Sequence, residues 1–436
     1  MTDMGRGRRT SLTRANLQPV IRRHRPDYKI IMFMGLLMLL GLVIMYAIGP
    51  QRANVLNNAY GTDFYTSTYF FIKQSISLLL ALMAFAAMAL IPYRYVQKYA
   101  TKILVGGFAA CALLAVAGFL QLGIAQCSLG ACRWFELGPL GSLQPAEILK
   151  FGLIVFMAGF LGARMKQGLI NDVQKTIVPF SIVAGLAILF VIVIQKDMGT
   201  GIAILIPLMI MLLVSGMNRR IGTMMVGGLV GLGLLLIIIA PHRIQRIATF
   251  IQGDATTSGQ SSDSNYHIKH AKIAIGSGGL LGVGIGNSVQ ATGYLPEAIN
   301  DSVFAIMGET FGFVGLTVIL TLFTFLLLRL LGVSDRTNDP WMKLVAAGVF
   351  GWLLTHVALN VASMLGVMPL TGITLPLLSF GGTSMIFIAA ALGLVFQLSR
   401  YTAHESHSKE KRYESTSSRR GLGGARYASS RRSSRA

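Results

Sequence analysis

Ten long apolar runs limit what this chain can fold into more than any other feature it has. They cover roughly residues 30–49, 68–92, 103–124, 144–163, 177–195, 198–216, 221–240, 302–328, 343–366 and 377–398. A helix needs roughly 20 apolar residues to cross the hydrocarbon core of a bilayer. An ionisable side chain costs about a few kcal/mol or more there. A membrane β-barrel would instead show short segments of alternating polarity. The sequence therefore predicts an all-α, polytopic membrane protein of ten transmembrane helices. Composition agrees, with 53% hydrophobic and 13% charged residues in a chain of 436.

The sparse charge is placed unevenly. The net charge is +21, from 38 basic and 17 acidic residues. Residues 1–29 hold eight Lys and Arg and residues 399–436 hold ten, against five acids, so the tails carry +13 of it. No aromatic-rich platform accompanies this charge, so nucleic acid is not an expected partner. Basic tails beside anionic headgroups on the cytoplasmic side fit better. Three domains follow: a basic cytoplasmic tail over 1–29, a membrane bundle over 30–398, and a low-complexity, disordered basic tail over 399–436. No cleavable signal peptide is apparent, so the first span is expected to act as an uncleaved insertion signal.

Loop charge sets the orientation. With the N-terminus inside, the inner connections hold Arg94, Lys98 and Lys102, then Arg164, Lys166 and Lys175, then Arg219 and Arg220, then Arg329, Arg336 and Lys343. Both termini are then cytoplasmic, and the longest connection, 241–301, lies outside between spans seven and eight. Its polar stretch Gly253–Asn265 is expected to be mobile. The segment 266–275 is amphipathic. The glycine-rich GSGGLLGVGIG that follows reads either as a partly embedded, non-spanning segment or as a surface loop.

This orientation puts the unusual polar residues at the outer face. The stretch YLPEAINDSVFAIMGE holds Glu297, Asp301 and Glu309 at the threshold of span eight. With Pro296 in a first helical turn, Glu297 and Asp301 would share a helix face, as functional acids or as N-terminal caps. Glu147 and Lys150, three residues apart, read as a structural salt bridge or as part of a polar cavity. Asp197 reads first as a cap for span six. Arg243 and Arg246 could meet a phosphate or simply anchor span seven. Two prolines and four glycines in Gly366–Ile386 suggest a broken approach to span ten, as groove or loop. Cys111 reads as core; Cys127 and Cys132, with four residues between them, could close a small disulfide in an oxidising compartment. From residues alone this gives an outward-facing polar cavity, suited to a lipid-phosphate enzyme, a flippase or a proton-coupled transporter.

Five segments resemble the SEDS family (FtsW, RodA, SpoVE) in family order: CRWFELGPLGSLQPAEILKF, QKDMGTGIAIL, KIAIGSGGLLGVGIGNSVQ, YLPEAINDSVFAIMGETFGFVG and MPLTGITLPLLSFGGTS. GNSVQ and TGITLPLLSFGGTS look more like FtsW than RodA. The resemblance implies a cell-division peptidoglycan glycosyltransferase of the bacterial cytoplasmic membrane. It would polymerise lipid II at the outer face and release a polyprenyl diphosphate. Its partners would be a class B penicillin-binding protein that cross-links the strands and other division proteins. The resemblance carries over Asp301 as the essential acid, with Glu297, Glu147, Lys150, Arg133 and Trp134 around the substrate. Asp301 would take the proton of the attacking sugar hydroxyl. Lys150, Arg243, Arg246 or a divalent cation (Mg or Mn, near Asp301 and Glu147) would balance the leaving diphosphate. No organic cofactor is expected. The chain departs from the family pattern at Ile299 and Asn300 (family His-Thr), at Lys196 (family Pro) and at Cys132 (family Arg).

Overall fold

The computed structural model describes residues 24–128, 131–136, 138, 141–238 and 263–402. Within them every predicted apolar run carries a helix. These are α1 Tyr28–Tyr60, α2 Tyr69–Leu90, α3 Tyr93–Phe119, α4 Pro145–Gln167, α5 Val173–Ile194, α6 Met198–Val214, α7 Arg219–Ile238, α9 Val303–Arg336, α10 Pro340–Met364 and α11 Gly382–Leu398. One further helix, α8 Asp263–Ser277, occupies the amphipathic part of the 241–301 connection. Among the described residues, eight helices are long and apolar enough by themselves to cross a membrane, and α6 is a shorter apolar helix.

Local chemistry fixes the helix ends. The Asp27 side chain accepts from Lys29 N, and Asp339 accepts from Trp341 N and Met342 N ahead of Pro340. These carboxylates satisfy N–H groups that have no partner inside the helix. At the other end α1 stops at Gly61 and α4 at Gly168, both left-handed, where only glycine avoids a Cβ penalty.

Packing makes α4 and α10 the centre of the bundle. Both are buried on nearly every face. Around them α10 meets α6, α9 and α4; α3 packs on α4, and α11 on α2. The α3–α4 crossing is close because Gly107 lies against Leu149 and Gly152 against Leu104; a Cβ at either place would press on backbone. His24 N donates to Arg400 O and Asp27 N to the Ser399 hydroxyl. The two described chain ends therefore meet at one end of the bundle.

The opposite end is irregular. Strands β1 Ala125–Ser128, β2 Ala131–Glu136 and β3 Ser142–Leu143 form a small antiparallel sheet in the order β1-β2-β3. A disulfide joins Cys127 and Cys132 across the β1–β2 turn. The Gly-rich segment after α8 docks on a break in α9. Gly312 leaves the helix at φ 65°, and Val283 N and Gly284 N donate to the freed Glu309 and Thr310 carbonyls. Gly282 and Gly312 are in contact there, which any Cβ would prevent. Leu280 and Leu281 are left pointing outward, 71% and 81% exposed.

Two expectations change. The helix predicted from Pro296 is a series of turns, and α9 begins only at Val303. Glu297 sits at φ 49°, a left-handed value that no helical turn tolerates. The stretch 366–381 is a loop, and span ten starts at Gly382 rather than near 377. Arg243, Arg246, most of the Gly253–Asn265 stretch and nearly all of both basic tails lie outside the described residues.

Candidate active site

At the irregular end, a cavity of about 550 Å³ opens between α1, α4, α6, α10, the small sheet and the two loops that precede α9 and α11. Asp301 and Glu297 reach it from the turns before α9, and Glu147 from the first turn of α4. Arg133 and Trp134 come from β2, and Thr383 and Ser384 from the start of α11. Residues far apart in sequence thus share one wall.

The Asp301 backbone is held from α10. Asn360 Nδ2 donates to Asp301 O and to Ile373 O, both at 2.7 Å. One amide thereby joins the acid's turn to the loop before α11. The Ser302 hydroxyl donates to Pro296 O at 2.9 Å and also meets the His267 ring. Burial, and second the neighbouring Glu297 carboxylate, push Asp301 up to about 7. Both act in one direction, because desolvation and like charge each disfavour the anion. Asn300 donates from its side chain to Glu297. Burial lowers His267, and Glu297 opposes that effect.

Glu147 and Lys150 form a buried pair, with Nζ 2.7 Å from Oε1. Glu147 lines the cavity, and its Oε2 is buried with no hydrogen-bond partner. Lys150 does not line it. Its ammonium meets His356 Nε2, at 3.1 Å, and lies 5.1 Å from the Trp352 ring centre. Expected among the groups facing the substrate, Lys150 stands one layer behind the wall, where three neighbours satisfy it.

Asp197 does two things. It caps α6, accepting from Thr200 N at 3.0 Å and from the Thr200 hydroxyl at 2.8 Å. Gln144 Nε2 also reaches it, at 3.3 Å, and its carboxylate borders the cavity.

Two arginines supply positive charge. Arg133 Nη2 donates to Lys196 O at 2.8 Å. Arg52, from the C-terminal part of α1, was not singled out from the sequence. Both arginines line the cavity, and the Nε of each is buried without a hydrogen-bond partner. A signal for Arg52 was present: a basic residue just beyond the first apolar run, on the side where positive charge is scarce. His356 was also missed. A lone ionisable side chain within span nine marks a functional candidate. Among the described residues no three His, Cys, Asp or Glu side chains gather into a metal-holding group. A cavity lined by two arginines and by Asp301, a half-buried carboxyl held above its ordinary range, can hold a phosphate-bearing ligand and accept a proton from it.

The family model of the FtsW/RodA/SpoVE cell cycle proteins matches residues 28–404. The chain is 31% identical to stage V sporulation protein E of Bacillus subtilis, over 88% of this chain and 99% of that protein. It is likewise 31% identical to a probable peptidoglycan glycosyltransferase FtsW of Taylorella equigenitalis, over 84% of this chain and 94% of that one. Among solved structures it resembles a chain from a peptidoglycan synthase complex described as coordinating polymerization and crosslinking. There the TM-score is 0.63 and the identity 26%, covering 87% of this chain and 99% of that one. The rod shape determining protein RodA of Thermus thermophilus has the same fold, with TM-score 0.61 and 24% identity over 87% and 99% of the two chains.

Proposed function

The chain belongs to the FtsW/RodA/SpoVE family of cell cycle proteins, and from that premise we propose that it is a peptidoglycan glycosyltransferase. It polymerises lipid II into glycan strands at the outer face of the bacterial cytoplasmic membrane and releases a polyprenyl diphosphate. It crosses the membrane ten times, with both termini cytoplasmic. The observation that carries this reading is the pairing of a raised carboxyl, Asp301, with two incompletely satisfied arginines in one cavity at the end away from the described chain ends. Relatives named as peptidoglycan glycosyltransferases support it.

The residues divide the work. A sugar hydroxyl attacks an anomeric carbon, the bond from that carbon to the diphosphate oxygen breaks, and the hydroxyl proton passes to Asp301. A positioned base of this kind is worth about 10²–10⁴-fold, and most when its pKa lies near the working pH. The diphosphate leaves as an anion and needs positive charge more than a proton. Arg52 and Arg133 face it; Lys150 acts from behind through Glu147 and His356. A divalent cation would be held by Glu147, whose buried Oε2 has no hydrogen-bond partner, and by the Asp301 carboxylate. Such an ion would supply further charge for the departing diphosphate.

The partner is a class B penicillin-binding protein, supported by the likeness to a chain from a synthase complex. The process is cell division, supported by the FtsW and SpoVE relatives; depletion that leaves division intact while cells lose their shape would point to elongation instead. The test of the activity is Asp301→Asn in the purified chain with its partner. Lipid II polymerisation should fall at least about a hundredfold. Near-normal strand synthesis would remove Asp301 from the base role. Transbilayer movement of lipid II without strands would make the chain a flippase.

A further inference from the structure

His356 lies in α10 with 4% of its surface exposed, and its ring forms part of the cavity wall. Two donors converge on its Nε2: Lys150 Nζ and Trp352 Nε1, each at 3.1 Å. An ammonium has only N–H groups to offer, and an indole nitrogen is likewise donor only. Lys150 is also in a salt bridge with Glu147, so it is charged. Nε2 must therefore present its lone pair to both. In a neutral imidazole the proton then sits on Nδ1. That Nδ1 is buried and has no hydrogen-bond partner. The Thr374 backbone faces the ring without forming a bond of ordinary geometry to Nδ1.

A buried donor left unsatisfied is costly, and a bound acceptor removes that cost. Asn360, four residues along α10, holds the Asp301 backbone. The unsatisfied donor is therefore about 6 Å of helix axis from the support of the base. We propose that His356 presents Nδ1–H to the cavity as a fixed hydrogen-bond donor for an oxygen of the bound lipid-linked sugar diphosphate, with Lys150 and Trp352 setting its tautomer. This rests on the glycosyl-transfer reading above. It also gives the buried Lys150 a task that needs no contact with substrate: it orients the group that makes the contact.

Two isosteres separate the nitrogens. Asparagine places its amide near the position of Nδ1, and glutamine reaches that of Nε2. His356→Asn keeps a donor for the ligand and gives up the bonds to Lys150 and Trp352. His356→Gln keeps an acceptor for those two and gives up the Nδ1 donor. With the full chain in nanodiscs, its partner and lipid II, His356→Gln should raise KM about tenfold and leave kcat within a few-fold, as expected when uniform binding is lost. His356→Asn, which keeps a donor for the ligand, should raise KM less than His356→Gln does. In the wild-type protein labelled with ¹⁵N-histidine, the resonance pair that disappears in His356→Gln should show protonated Nδ1 and bare Nε2. Protonated Nε2, or a His356→Gln KM equal to wild type while wild type polymerises, overturns the proposal and leaves the polymerase reading standing. A wild-type chain that makes no strands beside its partner overturns both.

Discussion

At the scale of single residues, the side chain with most consequence is Asp301, and its environment predicts a pH dependence. A carboxylate works as a base only when ionised. With burial and Glu297 holding Asp301 at about 7, polymerisation should fall as pH drops through that value. Glu297→Gln removes the second cause. It lowers the Asp301 pKa, so the acid limb of the profile should move to lower pH. The measurement is the initial rate between pH 5.5 and 8.5, on the order of seven points; an unmoved limb would show that Glu297 does not act on Asp301. The acids themselves stood out in the sequence because they open an apolar run. Their geometry did not. Glu297 and Asp301 at a spacing of four suggest one helix face, yet the left-handed φ of Glu297 turns the chain before any helix forms. A positive φ at a non-glycine residue is imposed by contacts and leaves no local mark.

At the scale of elements, the third acid of the same stretch has a different task. Glu309 is buried inside α9 and does not border the cavity. Its carboxylate accepts from the Ser288 hydroxyl, from Val289 N at 3.0 Å and from Gln290 N at 3.2 Å. It thereby closes the short turn Gln290–Thr292 and fastens the loop before α9 to that helix, one turn above the break at Gly312. Glu309→Ala strands these donors and should destabilise the protein by about 1–3 kcal/mol, with Glu309→Gln milder. Thermal unfolding of the two variants in detergent reads this out, and unchanged midpoints would show that the loop is held by other means. The helices themselves were legible because apolar length is a local property. The docking of 279–284 on α9 was not, since it joins backbone groups about thirty residues apart through two glycines that look alike in sequence.

At the scale of the whole molecule, orientation is the premise on which the chemistry depends. Asp63 is exposed in the turn between α1 and α2, at the cavity end, and Lys166 is exposed at the end where the described termini meet. The native cysteines are silent, with Cys127 and Cys132 joined and Cys111 buried. In intact cells a membrane-impermeant thiol reagent should label Asp63→Cys and leave Lys166→Cys unlabelled until the membrane is opened. The reverse pattern would put Asp301 in the cytosol, away from any exterior substrate. The sequence by itself determined the membrane class, the helices and the end of the bundle at which acids accumulate. Those follow from apolar length and charge counts, which add up along the chain. Only the tertiary structure decided that Arg52 from α1 and His356 from α10 face the same space as Asp301, while Lys150 stands behind the wall and Glu309 becomes a fastener. A side chain's role is set by what buries and satisfies it, and those neighbours come from segments whose closeness no local pattern records.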